Sequence, residues 1–286
     1  MAPGGPPPAA TDEAMRLVVT GKGGVGKTTL TAAIARLLAR EGCRVLAVDA
    51  DAQLNLAAAL GIPRDEAEAL VPLSHHHAYI AEKTGVQPGE IGALVRLNPN
   101  LDDVVDRFGR RAPDGVRLLA MGTLSGAGGG CLCPENTTLA QAIRAITLRP
   151  GEAIVLDTQA GVEHFGRAIA RGFGDALVVT DPTYSGTGVA VAAARLAADL
   201  GIPRVHLVVN RIRGAADRDR VEADLARRGA GIAFASIAWL PVDDAVLAAE
   251  PAVDALLADP VSPFMRAVRD LVATVTATRP TAEVPS

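Results

Sequence analysis

Gly21-Lys22-Gly23-Gly24-Val25-Gly26-Lys27-Thr28-Thr29 is the stretch that decides the fold of this chain. It satisfies the phosphate-loop pattern G-x-x-x-x-G-K-[ST], in which backbone N–H groups wrap a phosphate chain, a lysine neutralises its end and a hydroxyl ligates magnesium. Residues 16–20 before it have the pattern of a buried strand, and residues 30–40 after it have helical apolar spacing. We therefore expect the loop and Thr29 to hold a nucleoside triphosphate at a helix N-terminus, with Thr28 on Mg²⁺. The alternative is a glycine-rich turn between a strand and a helix.

A second lysine, Lys22, directly follows the first glycine of the loop. Only Lys22, Lys27 and Lys83 are lysine, and a loop closed around a phosphate favours a compact ammonium over the wide guanidinium of arginine. This loop resembles the signature-lysine loop of the MinD/ParA, arsenical-pump and nitrogenase iron-protein superfamily. The resemblance implies that Lys22 reaches across a homodimer interface to the partner's phosphates. The alternative is a solvated loop lysine.

Length and composition indicate one large domain. Of 286 residues, 49% are hydrophobic and 21% charged, which supports a sizeable core. Strand and helix patterns alternate without a break in composition, so we expect the α/β class: a single P-loop NTPase domain whose largely parallel, twisted β-sheet is flanked by helices on both faces. We place this domain at residues 15–275, between a disordered lead-in at 1–14 and a flexible tail at 276–286.

Charge and hydropathy argue against two classes of partner. The net charge is −4 and no basic run is present, so we expect no nucleic acid partner. No apolar run reaches the ~18 residues of a membrane span, and the first residues lack the pattern of a signal peptide. We therefore predict a cytoplasmic protein that does not bind membranes, in which 3 cysteines form no disulfide framework.

Two carboxylates, Asp49 and Asp51, follow the buried strand predicted at residues 44–49. The carboxyl end of a strand beside a phosphate loop is where open α/β sheets bind ligands. In the superfamily that the chain resembles, this V-D-x-D stretch is the first switch. The resemblance implies that Asp51 orients or deprotonates the attacking water, as a catalytic residue with Lys22 and Lys27, and that Asp49 lies in the outer shell of the magnesium. The alternative is an Asx turn or a helix cap.

A strand of the Walker B kind is predicted at residues 153–157, and its last residue, Asp157, should hold magnesium through water. Asp157-Thr158-Gln159-Ala160-Gly161 resembles a second switch, whose glycine, Gly161, senses the γ-phosphate. His164 follows, either as a relay of the switch motion or as an ordinary histidine at a helix start.

Asn210 ends a further predicted strand, at residues 205–210. Its amide can pair with adenine N6 and N7 together, whereas guanine would call for an N-K-x-D run, so we expect ATP as the nucleotide. We also assign Arg211 and Pro241 to the nucleotide site. The last strand is expected at residues 232–237, just before Pro241.

Cys131 and Cys133 form a C-x-C pair after a glycine-rich run at residues 126–130. Two thiolates fill half of a tetrahedral soft-metal shell, and a two-fold dimer would complete it with four, a shell suited to zinc, nickel or an iron–sulfur cluster. The alternative is two cysteines beside a flexible loop. For the histidines at 75–77 we expect a helix start capped by Ser74, with a transient metal contact as the alternative.

Together these features resemble the CooC-like ATPases that mature nickel-containing carbon monoxide dehydrogenase. The resemblance covers almost the whole domain: residues 21–29, 48–51, 98–110 with Arg107-Phe108-Gly109-Arg110, the C-x-C with Glu135-Asn136, and residues 161–164. It implies a homodimer that holds Ni²⁺ or Zn²⁺ at the shared C-x-C and uses ATP and Mg²⁺ in delivering nickel to carbon monoxide dehydrogenase or a similar client. Rival hypotheses are a partition or positioning ATPase of the MinD/ParA type and an iron–sulfur reductase component.

Overall fold

The computed structural model describes residues 14–85, 103–122, 141, 143–144, 146–161, 169–228 and 231–278. Within these ranges eight strands form one sheet: β1 Met15–Gly21, β2 Arg44–Ala50, β3 Arg110–Arg111, β4 Arg117–Ala120, β5 Glu152–Thr158, β6 Asp175–Thr180, β7 Arg204–Ile212 and β8 Ser236–Pro241. Their order across the sheet is β3-β4-β2-β5-β1-β6-β7-β8. Every neighbouring pair is parallel except β3 and β4 at one edge, which are antiparallel.

Helices connect the parallel strands, as parallel pairing requires. Those in the described ranges are α1 Lys27–Arg40, α2 Leu56–Ala59, α3 Arg64–Glu68, α4 His77–Thr84, α5 Val104–Phe108, α6 Tyr184–Asp199, α7 Ala215–Arg228, α8 Asp244–Ala248, α9 Asp254–Ala258 and α10 Pro263–Ala277. None of them combines the length and apolar character needed to cross a lipid bilayer.

The strands bury both faces, because each face of the sheet carries its own apolar core. On β1, Leu17 and Val19 point to the core shared with α1 and α10, while Val18 points to the core shared with α6. Burial on both sides explains why these strands are continuous apolar runs instead of alternating patterns. The predicted α/β architecture with helices on both faces is confirmed.

Three local predictions were wrong. The last strand begins at Ser236, not at 232, because Ile232 and Phe234 pack on the core from a loop without pairing to β7. The sequence also predicts a helix from residue 135 to about residue 148, but residues 146–149 lie outside any helix. Helix α4 begins at His77 without a side-chain cap, and Ser74 is buried where its N–H donates to the Met121 carbonyl oxygen.

The sheet register brings the predicted site residues to one edge. β5 lies between β1 and β2, so that Asp157 is the register partner of both Val19 and Asp49. The phosphate loop leaves β1 two residues after Val19. The carboxyl ends of β1, β2 and β5 therefore meet beneath the loop, as expected for ligand sites in open parallel sheets.

Candidate nucleotide-binding site

The phosphate loop is held so closely by its neighbours that two of its glycines have no room for a side chain. Gly21 has φ +141°, and a Cβ there would lie 2.0 Å from the Val179 carbonyl oxygen of β6. Gly26 has φ +93°, and a Cβ there would lie 2.7 Å from Nδ2 of Asn210. Both conformations favour glycine. The loop backbone is therefore fixed at the start of α1, with space for a phosphate chain to approach it.

Lys27, the first residue of α1, is a buried residue, with 7% of its surface exposed. Nζ donates to the Lys22 carbonyl oxygen at 3.1 Å. Burial lowers the pKa of Lys27, and the negative charges of Asp157 and Asp51 oppose that change. A buried lysine whose hydrogen-bond partner is a neutral carbonyl is well placed to bind an anion, so the predicted phosphate role of Lys27 fits this geometry.

Thr28 and Asp157 form a hydroxyl–carboxylate pair at the base of the loop. Thr28 Oγ1 donates to Asp157 Oδ2 at 2.6 Å, and Asp157 is 1% exposed. Burial raises the pKa of Asp157 to about 6, although the hydrogen bond from Thr28 and the charge of Lys27 act in the opposite direction.

Asp49 lies beside Asp157 and is equally buried. Its Oδ1 accepts from the Asp51 N–H and its Oδ2 from the Leu56 N–H, both at 3.0 Å. Burial, followed by the charge of Asp157, raises the pKa of Asp49 to about 7. Carboxylate and hydroxyl oxygens are the ligands that magnesium prefers, and two adjacent buried carboxylates favour a bound cation. The donor set of Thr28, Asp157 and Asp49 thus fits Mg²⁺.

Asp51 follows β2 and lines the open space in front of the loop. Its Oδ1 accepts from the Gln53 N–H at 3.0 Å. Both Asp49 and Asp51 therefore accept a hydrogen bond from a backbone N–H two residues further on, which is the Asx turn that the sequence left as an alternative. The turn and the site are compatible, because the turn at Asp51 leaves that side chain on the wall of the cleft.

A cleft of about 1020 Å³ runs from the loop to the far end of β8. Its volume suits a nucleotide. The predicted residues Gly23, Gly24, Lys27, Thr28, Thr29, Asp51, Asn210, Arg211 and Pro241 all line it. The sequence missed the rest of the wall, which comprises Gln53, Asn55, Arg213, Val242, Asp243, Val246 and Leu247 among others. A smaller cavity of about 660 Å³ lies at the opposite edge of the sheet, beside Arg44 and Arg117.

Asn210 holds the loop from inside this cleft. Its Nδ2 donates to the Val25 carbonyl oxygen at 2.8 Å, and its Oδ1 accepts from the Arg211 N–H at 2.9 Å. Arg211 has φ +64°, a conformation that few residues other than glycine adopt. The amide is thus hydrogen-bonded to the backbone through both Nδ2 and Oδ1, and each of these atoms can form a second hydrogen bond. Adenine recognition by Asn210 stays a prediction.

Gly161 of the predicted second switch and the second loop lysine, Lys22, also have defined contacts. The Gly161 N–H donates to the Gly21 carbonyl oxygen at 3.2 Å, which links the end of β5 to the start of the loop. Lys22 Nζ donates to Ser185 Oγ at 3.0 Å and lies 3.8 Å from Asp181 Oδ2. The role of Lys22 across a dimer interface stays a prediction.

The predicted soft-metal pair, Cys131 and Cys133, lies outside the described residues, as does His164. Within the described ranges, no group of three or more His, Cys, Asp or Glu side chains is arranged to hold a metal ion. The histidines at 75–77 have a structural contact instead, since the His76 ring packs on Phe108 with centroids 4.4 Å apart. Arg107 lies over the Tyr79 ring at 4.7 Å, so the Arg107–Arg110 stretch forms part of the same aromatic cluster.

Comparisons with known proteins agree with this geometry. A family model described as the CobQ/CobB/MinD/ParA nucleotide binding domain matches residues 17–251. The carbon monoxide dehydrogenase accessory protein CooC of Rhodospirillum rubrum is 36% identical over 244 residues, covering 83% of this chain and 88% of the relative. An uncharacterized ATP-binding protein of Methanocaldococcus jannaschii is 36% identical over 236 residues, covering 82% of this chain and 88% of the relative. The MinD cell division protein of Aquifex aeolicus shares the fold, with a TM-score of 0.64 at 21% identity over 93% of this chain and 98% of its own.

Proposed function

Because this chain belongs to the CobQ/CobB/MinD/ParA family of nucleotide-binding domains, we propose that it is a dimeric, ATP-dependent metallochaperone. It binds nickel or zinc at a site that Cys131 and Cys133 of two subunits share, and it assists nickel insertion into carbon monoxide dehydrogenase or a similar nickel enzyme. The resemblance to the R. rubrum accessory protein, together with the C-x-C pair, supports the metal and the client.

The buried constellation of Lys27, Thr28 and Asp157 at the start of α1 is the observation that carries the ATPase part of this proposal. The loop backbone and the Lys27 ammonium bind the phosphates, and Thr28 and Asp157 hold the magnesium that accompanies them. Bound magnesium offsets charge on the β- and γ-phosphates. Asn210, Arg211 and Pro241 lie on the wall of the same cleft and contact the nucleoside.

Asp51 acts on the water in this proposal. Its carboxylate orients a water molecule toward the γ-phosphorus and takes up a proton as the new P–O bond forms. The bond from the γ-phosphorus to the β–γ bridging oxygen breaks, which leaves ADP and inorganic phosphate. Phosphoryl transfer needs little from the protein besides such positioning and charge neutralisation. The position of Asp51 on the cleft wall, in front of the loop, suits this role.

Metal binding requires two subunits, because one C-x-C supplies two of the four thiolates of a closed tetrahedral shell. The thiols, with an ordinary pKa near 8.5, ionise when they ligate, so binding releases protons. ATP and metal should then be linked reciprocally: if ATP changes the metal affinity, the metal changes ATP affinity by the same factor.

The ATPase part is tested with Asp51→Ala and Lys27→Ala. We expect Lys27→Ala to abolish ATP binding, and Asp51→Ala to retain ATP, lose turnover and accumulate as a dimer in gel filtration with ATP. Gln53→Ala is the matched control, since Gln53 lines the same cleft without a predicted catalytic role. Turnover by Asp51→Ala at the wild-type rate would remove Asp51 from the mechanism.

The metal part is tested by titrating Ni²⁺ or Zn²⁺ with and without a non-hydrolysable ATP analogue. We expect one ion per dimer, and loss of tight binding in Cys131→Ser and in Cys133→Ser. Cys43→Ala is the matched control, because Cys43 is buried immediately before β2 and lies away from the C-x-C in sequence. One ion per monomer, or unchanged affinity in either serine variant, would contradict the shared site. A brown protein with stoichiometric iron and sulfide would instead favour the reductase alternative.

A further inference from the structure

The ammonium of Lys22 is held by side chains of its own subunit that lie away from the nucleotide cleft. Its Nζ donates to Ser185 Oγ at 3.0 Å and lies 3.8 Å from the Asp181 carboxylate. The side chain is one-third exposed, at 33%. Neither Lys22 nor its two partners belongs to the wall of the nucleotide cleft, although Gly23 and Gly24 immediately after it do. The ammonium is therefore directed to the turn between β6 and α6, not to the phosphates of its own subunit.

The turn that receives Lys22 is itself firmly built. Thr183, the N-cap of α6, donates through Oγ1 to Asp181 Oδ1 at 2.5 Å, which leaves Oδ2 of Asp181 to face Lys22. A Cβ at Gly186 would lie 2.1 Å from Asp181 Oδ1, so the absence of a side chain there is what lets the carboxylate occupy this position. Arg220 Nη1 donates to the Pro182 carbonyl oxygen at 3.0 Å and fixes the turn from the other side.

We propose that Asp181 and Ser185 are positioning residues that hold Lys22 on its own subunit and so set the threshold for ATP-dependent pairing of two subunits. The inference rests on the proposed dimer, in which Lys22 contacts the partner's phosphates. One ammonium cannot serve both places, so each Lys22 must leave Asp181 before it reaches a partner. A triphosphate carries several negative charges against the single charge of Asp181, and it therefore competes successfully once the subunits approach.

The size of the effect follows from the exposure of the pair. A partly exposed ion pair and its hydrogen bond favour the held ammonium over the released ammonium by a factor of about five in the equilibrium constant. We call the contact of Lys22 with Asp181 and Ser185 the latch. Two lysines are released in each dimer, so the latch raises the dissociation constant of the ATP-bound dimer about 25-fold. Removing it should tighten the dimer by that factor. If Asp181 and Ser185 instead bound the partner subunit, replacing them should weaken the dimer.

The first test measures the latch without nucleotide or dimer. The chain has lysine only at positions 22, 27 and 83, so acylation of each ammonium can be quantified by peptide mass spectrometry in the nucleotide-free protein. We expect Asp181→Asn and Ser185→Ala to raise the reaction rate of Lys22 about fivefold, with Lys83 as the internal reference because its partner Asp103 is unchanged. An unchanged Lys22 rate in both variants overturns the proposal, and circular dichroism shows that each variant is folded.

The second test measures the dimer. Sedimentation with a non-hydrolysable ATP analogue should give a dimer dissociation constant about 25-fold lower in Asp181→Asn than in the wild type, and the difference should vanish when both proteins also carry Lys22→Ala. Weaker dimers in Asp181→Asn and Ser185→Ala overturn the latch. A wild-type protein that stays monomeric with the analogue refutes the proposed dimer instead, and the acylation rates still report separately on whether Lys22 is held.

Discussion

Replacing Asp157 by asparagine should stabilise the nucleotide-free protein while removing its ability to bind ATP with magnesium. Asp157 is buried beside a second carboxylate, Asp49, and its ionisation is opposed first by burial and then by the charge of Asp51. Asparagine has the same shape, keeps an oxygen that accepts the hydrogen bond of Thr28, and carries no charge. The site is thus built at the expense of the stability of the empty protein, as is common where function requires buried charge.

The magnitude follows from the pKa of Asp157, which burial raises from 3.8 to about 6. The folded state therefore holds this proton more tightly than the unfolded chain, and the resulting destabilisation is absent well below pH 3.8, grows as the pH rises and is complete above pH 6. A difference of about 2 pKa units corresponds to roughly 3 kcal/mol at pH 8 and about half of that at pH 5. A neutral acceptor weakens the Thr28 hydrogen bond by about 1 kcal/mol at either pH. We expect a net gain of about 2 kcal/mol at pH 8 and below about 1 kcal/mol at pH 5.

Urea denaturation of wild type and Asp157→Asn at the two pH values measures these differences. Asp51→Asn is the matched control: its carboxylate lies on the cleft wall and is partly exposed, so its stability should stay within about 0.5 kcal/mol of the wild type. Calorimetry with ATP and Mg²⁺ then checks whether Asp157→Asn has lost the ability to bind ATP with magnesium. The reasoning is refuted if Asp157→Asn is less stable than the wild type at pH 8, or if its stability difference is the same at pH 5.

Two further predictions concern residues away from the magnesium position. Asn210→Ala should lower the affinities for ATP and GTP by a similar factor of about five to ten, because it removes the hydrogen bond that anchors the loop; calorimetry with both nucleotides checks this, and a loss confined to ATP would show adenine recognition instead. Asp175→Asn should destabilise the protein by about 3 kcal/mol, since it removes the buried charge partner of Arg204. Burial raises the pKa of Asp175, but hydrogen bonds from His206 and Arg204 outweigh burial and lower the pKa. The stability that this carboxylate contributes is therefore present above pH 3.8 and is lost as the pH falls below that value. Urea titrations at pH 7 and pH 3 should show that the stability difference between wild type and Asp175→Asn shrinks at the lower pH.

The magnesium end of the site could be predicted from the sequence because its geometry is carried by short motifs on adjacent strands. Parallel pairing places the carboxyl ends of β1, β2 and β5 at one edge, so the loop, Asp49 and Asp157 must meet there once the sheet forms. The glycine positions of the loop are part of the phosphate-loop motif itself, and the positive φ of Gly21 and Gly26 favours glycine there. These features need no knowledge of the rest of the chain.

The predicted residues Asn210, Arg211 and Pro241 do line the nucleoside end of the cleft, but the contacts there could not be predicted in the same way. These contacts join residues far apart in sequence. The bond from Asn210 to Val25 spans 185 residues, and no pattern in either segment indicates it. The cleft residues at 242–247 were not predicted, because the last strand was expected too early in the chain. The apolar residues at 232–234 have the composition of a strand but pack on the core as a loop. Lys22 was assigned to a partner subunit from its motif, and nothing local to it signals the contact with Ser185.

During synthesis, the strand that carries the phosphate loop leaves the ribosome long before the strands that hold it. β1 ends at Gly21, whereas its neighbours β5 and β6 begin at Glu152 and Asp175. At 5–20 residues per second, the intervening chain takes on the order of ten seconds to emerge. β2 and β4 can pair within that interval, but β1 cannot form a single ladder hydrogen bond of the final sheet. A strand that ends up between two neighbours in the sheet is therefore, while the chain is being made, an unpaired apolar strand open to chaperones and to aggregation.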